Sequence, residues 1–182
     1  MGNMEKEKSL FAKGEDLAKT IVHSRMALDQ LRKIYQMVRV RPLFKPQPLE
    51  FVRAHIRRQI TRVSGRAGFK RILELIDEYE DDRESLERIL AYSILLYEFY
   101  RNEYVLNLIE EAEPLIREVL RKHNLNLYDI WPKHIRGNFV EVVVITDKHP
   151  RYMGKVIMEI RDAFRKTGKS FRFNLKIRIE SD

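Results

Sequence analysis

The sequence predicts a mainly α-helical protein, a five- to six-helix bundle followed by a small β-α-β C-terminal appendage. Three observations lead there. Apolar residues recur at steps of three and four from Leu10 to Leu120, the period of helices with one buried face. After Asn124 the pattern changes to a β-branched run, Phe139 to Thr146, and then to strict alternation of Phe171, Phe173, Leu175, Ile177 and Ile179 with polar residues. The 182 residues are 44% hydrophobic, enough for a core that needs no covalent staple. The expected division is a helical bundle over 1–125 and a strand-helix-strand appendage over 126–182.

Taken in order, the first helix runs over about Leu10 to Met26, with Leu10, Leu17, Ile21 and Met26 on one stripe and Gly14 weakening its first turns. Asp29 is the expected N-cap of a second helix carrying Leu31, Ile34, Tyr35 and Val38, which ends before Pro42. Arg41 to Pro48 is a connector. From Leu49 to Val63 the inward positions are Val52, Ile56, Ile60 and Val63, so Arg58 and Arg62 point away from the core and Arg53 and Arg57 flank it. Ser64 to Gly68 interrupts, and Phe69, Ile72, Leu73 and Ile76 resume the period. Glu80 to Asp82 is a turn, and Ser85 is the expected cap of a helix whose face runs through Leu86, Ile89, Leu90, Leu96, Tyr97 and Tyr100. Tyr104 to His123 reads as another helix, divided or kinked by Pro114. Asn126 to Asn138 reads as a connector ahead of the first strand. A helix through Val156, Ile157, Ile160 and Phe164 follows, with Gly168 as its C-terminal cap. The last strand turns Arg172, Asn174, Lys176 and Arg178 outward as a second basic surface. Two strands over one helix are too few to stand alone, so this tail is expected to pack on the helical body or borrow a partner's sheet edge.

Several chemistries are disfavoured by what is missing. The absence of cysteine removes disulfides, thiolate zinc sites and thiol nucleophiles, and fits a reducing cytoplasm. The longest apolar runs are far short of the ~20 residues that span a bilayer, so no membrane association is expected. His23, His55, His123, His134 and His149 are scattered without metal-ligand spacing, and Asp77 to Glu84 reads as solvated charge. Ser64-Gly65-Arg66-Ala67-Gly68 lacks the G-K-[ST] ending of a nucleotide-binding loop, although its glycines are expected to let backbone N–H groups approach a phosphate. We therefore expect no catalytic residue, no metal, no cofactor and no small-molecule substrate. Tyr92, Tyr97, Phe99, Tyr100 and Tyr104 are expected in the core more than in base stacking.

The net charge of +8 is unevenly spread. Between 51 and 73 stand Arg53, Arg57, Arg58, Arg62, Arg66, Lys70 and Arg71, with no acid among them, whereas 74–118 holds fourteen acids against four bases. A stretch that cannot neutralise itself faces water, an acidic partner or phosphates. Arginine's planar fork favours phosphate, and pairing with the acidic run Asp77 to Glu87 is the bland alternative.

Three segments carry a family resemblance. Asp29-Gln30-Leu31-Arg32-Lys33-Ile34-Tyr35 is similar to a [ST]-Q-[IL]-R-[KR]-aromatic motif, with Asp29 in place of the hydroxyl residue. Ile60 to Arg66 is similar to a helix ending in a Gly-Arg pair, and Leu90 to Tyr100 to a final aromatic helix that here lacks a histidine after Ala91-Tyr92. Over residues 10–104 the chain resembles the small helical subunit of type III-A CRISPR interference (Csm) complexes. That resemblance implies a non-catalytic, cytoplasmic, antiviral ribonucleoprotein component. The implied partners are guide RNA and target RNA, the backbone and large subunits, and adjacent copies of the chain itself. It points to Arg32, Lys33, Arg62 and Arg66 as RNA contacts, to which the charge pattern adds Arg53, Arg57, Arg58, Lys70 and Arg71. The alternatives are a helix-turn-helix DNA-binding regulator, reading DNA through Asp29 to Val40 or Leu49 to Val63, and a protein-interaction module without nucleic acid. No turn of three or four residues between well-placed helices is evident from sequence, which weighs against the regulator.

Overall fold

The structure, a computed structural model, describes residues 2–39, 48–62, 64–136, 139–166 and 172–179. The chain divides into two compact units, Met1–Arg101 and Asn102–Asp182. The first contains α1 (Gly2–Ser24), α2 (Leu28–Val38), α3 (Leu49–Ile60), α4 (Arg66–Glu78) and the first half of α5 (Arg83–Lys122). The second contains the remainder of α5, β1 (Leu127–Arg136), β2 (Phe139–Thr146), α6 (Met153–Lys166) and β3 (Arg172–Ile179). The protein is mainly helical with a small C-terminal sheet, as its periodicity predicts.

In the first unit the apolar stripes close as expected, with Leu17, Ile21, Met26, Leu31, Ile34, Val52, Ile56, Phe69 and Ile72 all fully buried. Gly14 has a packing role: a Cβ there would stand 2.5 Å from Cβ of Tyr92, so the glycine lets α1 and α5 approach closely. The helix starts well before Leu10 because its first turns are tied down, Lys6 to Asp82 at 3.0 Å and Glu7 to Arg88 at 2.8 Å and to the Tyr92 hydroxyl. It ends in a left-handed residue, Arg25 (φ 63°), whose N–H and that of Met26 return to the carbonyls of Val22 and Ile21.

Two terminus assignments differ from the sequence reading. Helix α2 begins at Leu28, so Asp29 lies inside the first turn, favouring the helix through the macrodipole without capping it. The far end of α2 is held by Arg83, which donates from Nε to the Val38 carbonyl (2.8 Å) and from Nη2 to that of Met37 (2.9 Å). Asp82, rather than Ser85, caps α5: its carboxylate accepts the Ser85 backbone N–H (3.1 Å) and hydroxyl (2.7 Å). The predicted connector at 40–47 and Val63 lie outside the described residues.

The second unit is larger in sequence than the expected appendage. Val105, Ile109, Ala112, Ile116, Val119 and Leu120 of α5 form one core with Val140, Val142 and Val144 of β2 and Val156, Ile160 and Phe164 of α6. This burial explains how α5 continues through Pro114, where the lost hydrogen bond and ring clash cost ~3 kcal/mol in an isolated helix. The stretch read as a connector is strand β1, antiparallel to β2, which in turn pairs parallel with β3 in the order β1-β2-β3. Pro132 sits opposite Val142 on this edge strand, beside a register shift, where a missing N–H is tolerated. Three strands under two helical segments supply the core that two strands over one helix would lack. Gly168 lies outside the described residues.

Candidate nucleic-acid interface

The cations singled out by sequence fall into two groups according to what they touch. Arg53 and Arg71 are internal. Arg53 reaches Asp77 (3.0 Å), Glu80 (3.1 Å) and Glu50 (3.7 Å), and its side chain is only 14% exposed. Burial works against its charge, and the hydrogen bonds it donates to Asp77 and Glu80 outweigh it, leaving the guanidinium pKa above its ordinary value. Arg71 bridges Asp16 and Glu74, each at 3.0 Å, and its pKa is raised by the bond it donates to Glu74 and, against partial burial, by the one it donates to Asp16. For these two residues the intramolecular alternative holds, and they are corrected to structural cations.

Arg57, Arg58, Arg62, Arg66 and Lys70 are different: all are exposed, and none forms an ion pair with a described residue. Apart from Asp81, the acidic run that might neutralise them is engaged elsewhere. Glu78 takes Lys13, Asp82 takes Lys6, Glu84 takes Arg88 and Glu87 is 3.7 Å from Arg39, while Asp77 and Glu80 hold Arg53. The lysines of α1 therefore leave the ridge uncompensated.

Connectivity gathers these charges. Since Arg53, early in α3, touches Asp77, late in α4, the two helices run antiparallel. Arg57, one turn after Arg53, thus lies toward the α3–α4 turn, where Arg62 sits and from which Arg66 and Lys70 share a face four residues apart. Arg58 lies around α3 from Arg57, one turn beyond His55. His55 is one of the histidines set aside in the sequence for want of metal-ligand spacing. It lines a groove of about 550 Å³ with Asp29, Arg32, Lys33, Gln36 and Met37 of α2. Its Nε2 is enclosed and has no hydrogen-bond partner among the described residues. Arg32 is loosely held by Asp29 (3.7 Å), and Lys33 is exposed without an ion pair to a described residue. The only sequence signal for His55 was its i−3 spacing from Arg58, too common to single it out.

The glycine-containing loop has another job than the expected one. Gly65 takes a left-handed conformation (φ 98°), and a Cβ there would stand 2.6 Å from Met26 Cα. Gly68 donates its N–H to Ser24 Oγ at 3.2 Å. Both glycines are buried against the end of α1, so their freedom serves close packing and leaves no approach for a phosphate. Of the aromatic series, Tyr97 is buried, and Tyr92 and Tyr100 tie α5 to Glu7 and Glu15 of α1. Phe99 departs from the expected core position and is 62% exposed.

Among the described residues no group of three His, Asp or Glu is arranged to hold a metal ion, and no helix is long and apolar enough to cross a membrane. Comparison with protein-family models, with curated proteins and with solved structures gives no match.

Proposed function

We propose that the chain is a non-catalytic RNA-binding subunit of a ribonucleoprotein effector, acting as the small helical subunits of type III-A CRISPR complexes do, with guide or target RNA and neighbouring subunits as partners. The observation that carries this reading is the set of five exposed cations around α3 and the start of α4, left without ion pairs to described residues although acids are plentiful nearby in sequence. Guanidinium groups at this density hold a polyanion through its phosphates, which gives affinity with little sequence preference. Arg32 and Lys33 extend the surface along the α2 groove.

One observation favours a second reading. The link between α1 and α2 is only three residues, Arg25-Met26-Ala27, contrary to the sequence expectation that no such turn exists. Helix-turn-helix regulators use a link of this length, with the second helix presenting residues such as Arg32, Lys33 and Gln36 to a major groove. The test is direct: binding of labelled single-stranded RNA, single-stranded DNA and duplex DNA at two salt concentrations. Preference for RNA with strong salt dependence supports the subunit reading, whereas tight binding to palindromic duplex DNA supports the regulator.

A further inference from the structure

The groove between α2 and α3 differs from the rest of the basic surface in what lines it. Asp29, Arg32, Lys33, Gln36 and Met37 stand on one face of α2 at helical spacing, and His55 meets them from α3. The first two pairs of these positions are open to solvent in part or in full: Asp29, Arg32, Lys33 and Gln36 are exposed, and Met37 and His55 are half-buried. The wall is mostly carbon although five of the six lining residues are polar, so it is built from Met37 and the stems of the longer side chains, which turn their polar ends toward water. One turn before His55 on α3 stands Phe51, 63% exposed, and one turn after it the exposed Arg58. At about 3.6 residues per turn these three fall within a sector of about 60°, away from the buried Val52 and Ile56. The row expected as a second basic surface on β3 offers nothing comparable: Lys176 is held by Glu141 at 2.8 Å, and the side chains of Arg172 and Asn174 lie outside the described residues.

We propose that an unpaired RNA strand seats one base in this groove and stacks the next on Phe51, with Lys33, Arg58 and Arg32 on the adjoining phosphates. This contact rests on the RNA-binding reading above and adds to it a requirement for bases that phosphates alone do not meet. A groove of about 550 Å³ is of the size that takes a small planar group, and its carbon wall suits the face of a base better than a phosphate. Phe51 and His55 are four residues apart, about 6 Å along the helix, a separation that neighbouring bases of an unstacked strand span. Every base offers a π-face to an exposed aromatic ring, whatever the sequence. The enclosed Nε2 of His55 has no hydrogen-bond partner among the described residues, and since the ring as a whole is half-buried, the polar edge of a base in the groove supplies one. Arg32, Lys33 and Arg58 face only Asp29, and the pairing of Asp29 with Arg32 at 3.7 Å is loose, so the rim stays cationic. A duplex brings the same phosphates but keeps its bases paired, and an acidic peptide brings charge without planar faces.

The experiment holds the phosphates constant and removes the bases. The full chain is titrated, with fluorescence anisotropy as the readout, into end-labelled single-stranded RNA of about a dozen nucleotides and into a strand of equal length built from abasic spacers. The base-bearing strand is expected to bind roughly five- to a hundredfold tighter at the same salt. Phe51→Ala should remove most of that advantage while leaving the affinity for the abasic strand unchanged, Phe51→Tyr should keep it, and His55→Ala should narrow it. Equal affinity of the parent chain for the two strands, or an undiminished advantage in Phe51→Ala, overturns the proposal. So does binding of duplex RNA, duplex DNA or a polyglutamate peptide as tight as that of the unpaired strand. Phe51 is well exposed, so its variants decide the matter even where His55→Ala disturbs folding. An abasic strand that still binds with steep salt dependence leaves the cationic reading standing when the base contact fails, whereas a chain that binds neither strand refutes both.

Discussion

Replacing Arg57, Arg58 and Arg62 together by glutamate bears most directly on RNA binding. Each phosphate neutralised on a single strand contributes about 0.7 to the slope of log affinity against log salt. Five cations free of ion pairs to described residues, each engaging one phosphate, give a slope of about −3.5. Raising salt from 50 to 200 mM then weakens the parent chain roughly 100-fold, whereas a variant left with two such contacts has a slope of about −1.4 and weakens only about 7-fold. All three side chains are exposed, so stability should stay within about 0.5 kcal/mol of the parent. Fluorescence anisotropy of an end-labelled RNA over a salt series measures both slopes. Arg53→Gln and Arg71→Gln serve as internal comparisons, since their carboxylate partners already neutralise them. A triple variant that folds normally and keeps the parental slope would refute the reasoning, as would an equal loss of slope in Arg53→Gln.

Three further outcomes concern the scaffold. Arg83→Met removes a charged donor from the Met37 and Val38 carbonyls and should cost about 1.5–3 kcal/mol in urea unfolding, loosening the helix that carries Arg32 and Lys33; an unchanged midpoint would mean water replaces it freely. Gly65→Ala combines φ 98° with a Cβ placed 2.6 Å from Met26 Cα and should cost about 2 kcal/mol or more, while Gly154→Ala, where a Cβ meets nothing within 4 Å, should be neutral or mildly stabilising; thermal melts compare them. The Asp82 carboxyl is pulled from 3.8 to about 2 by the Ser85 hydroxyl, then Lys6 and the Ser85 N–H. Its depressed pKa means that the stabilisation is complete above the unfolded value and disappears as pH falls through about 2. The stability gap between the parent and Asp82→Asn should therefore close between pH 4 and 2 in acid titrations followed by circular dichroism, and a gap independent of pH would exclude the cap as its source.

Much of the fold was legible because burial leaves a periodic trace. Leu17, Ile21, Leu31, Ile34, Val52, Ile56, Phe69 and Ile72 fall on helical stripes in the sequence and are all buried, and Val140 to Val144 announces a covered strand. Strand β1 left no such trace. Trp131-Pro132 and two register shifts break its alternation, and it is a strand because β2 offers it an edge. Likewise α5 was read as one helix through Tyr100 and another over Tyr104 to His123 that Pro114 divides or kinks, while the packing of Ala112 and Ile116 that carries the helix through Pro114 is a tertiary effect.

The basic stretch between 53 and 71 was evident from sequence, and so was the presence of acids able to neutralise it. Sequence by itself determined which residues carry charge and which helix faces seek burial, because both follow from side-chain chemistry and the helical period. Only tertiary structure decided which charges cancel. Arg53 and Arg71 find carboxylates on neighbouring helices, α1 supplies Lys6 and Lys13 to the acidic run, and Arg57, Arg58, Arg62, Arg66 and Lys70 remain exposed. Ion pairing depends on separations of a few ångströms between residues far apart in the chain, and these are fixed only when the helices pack.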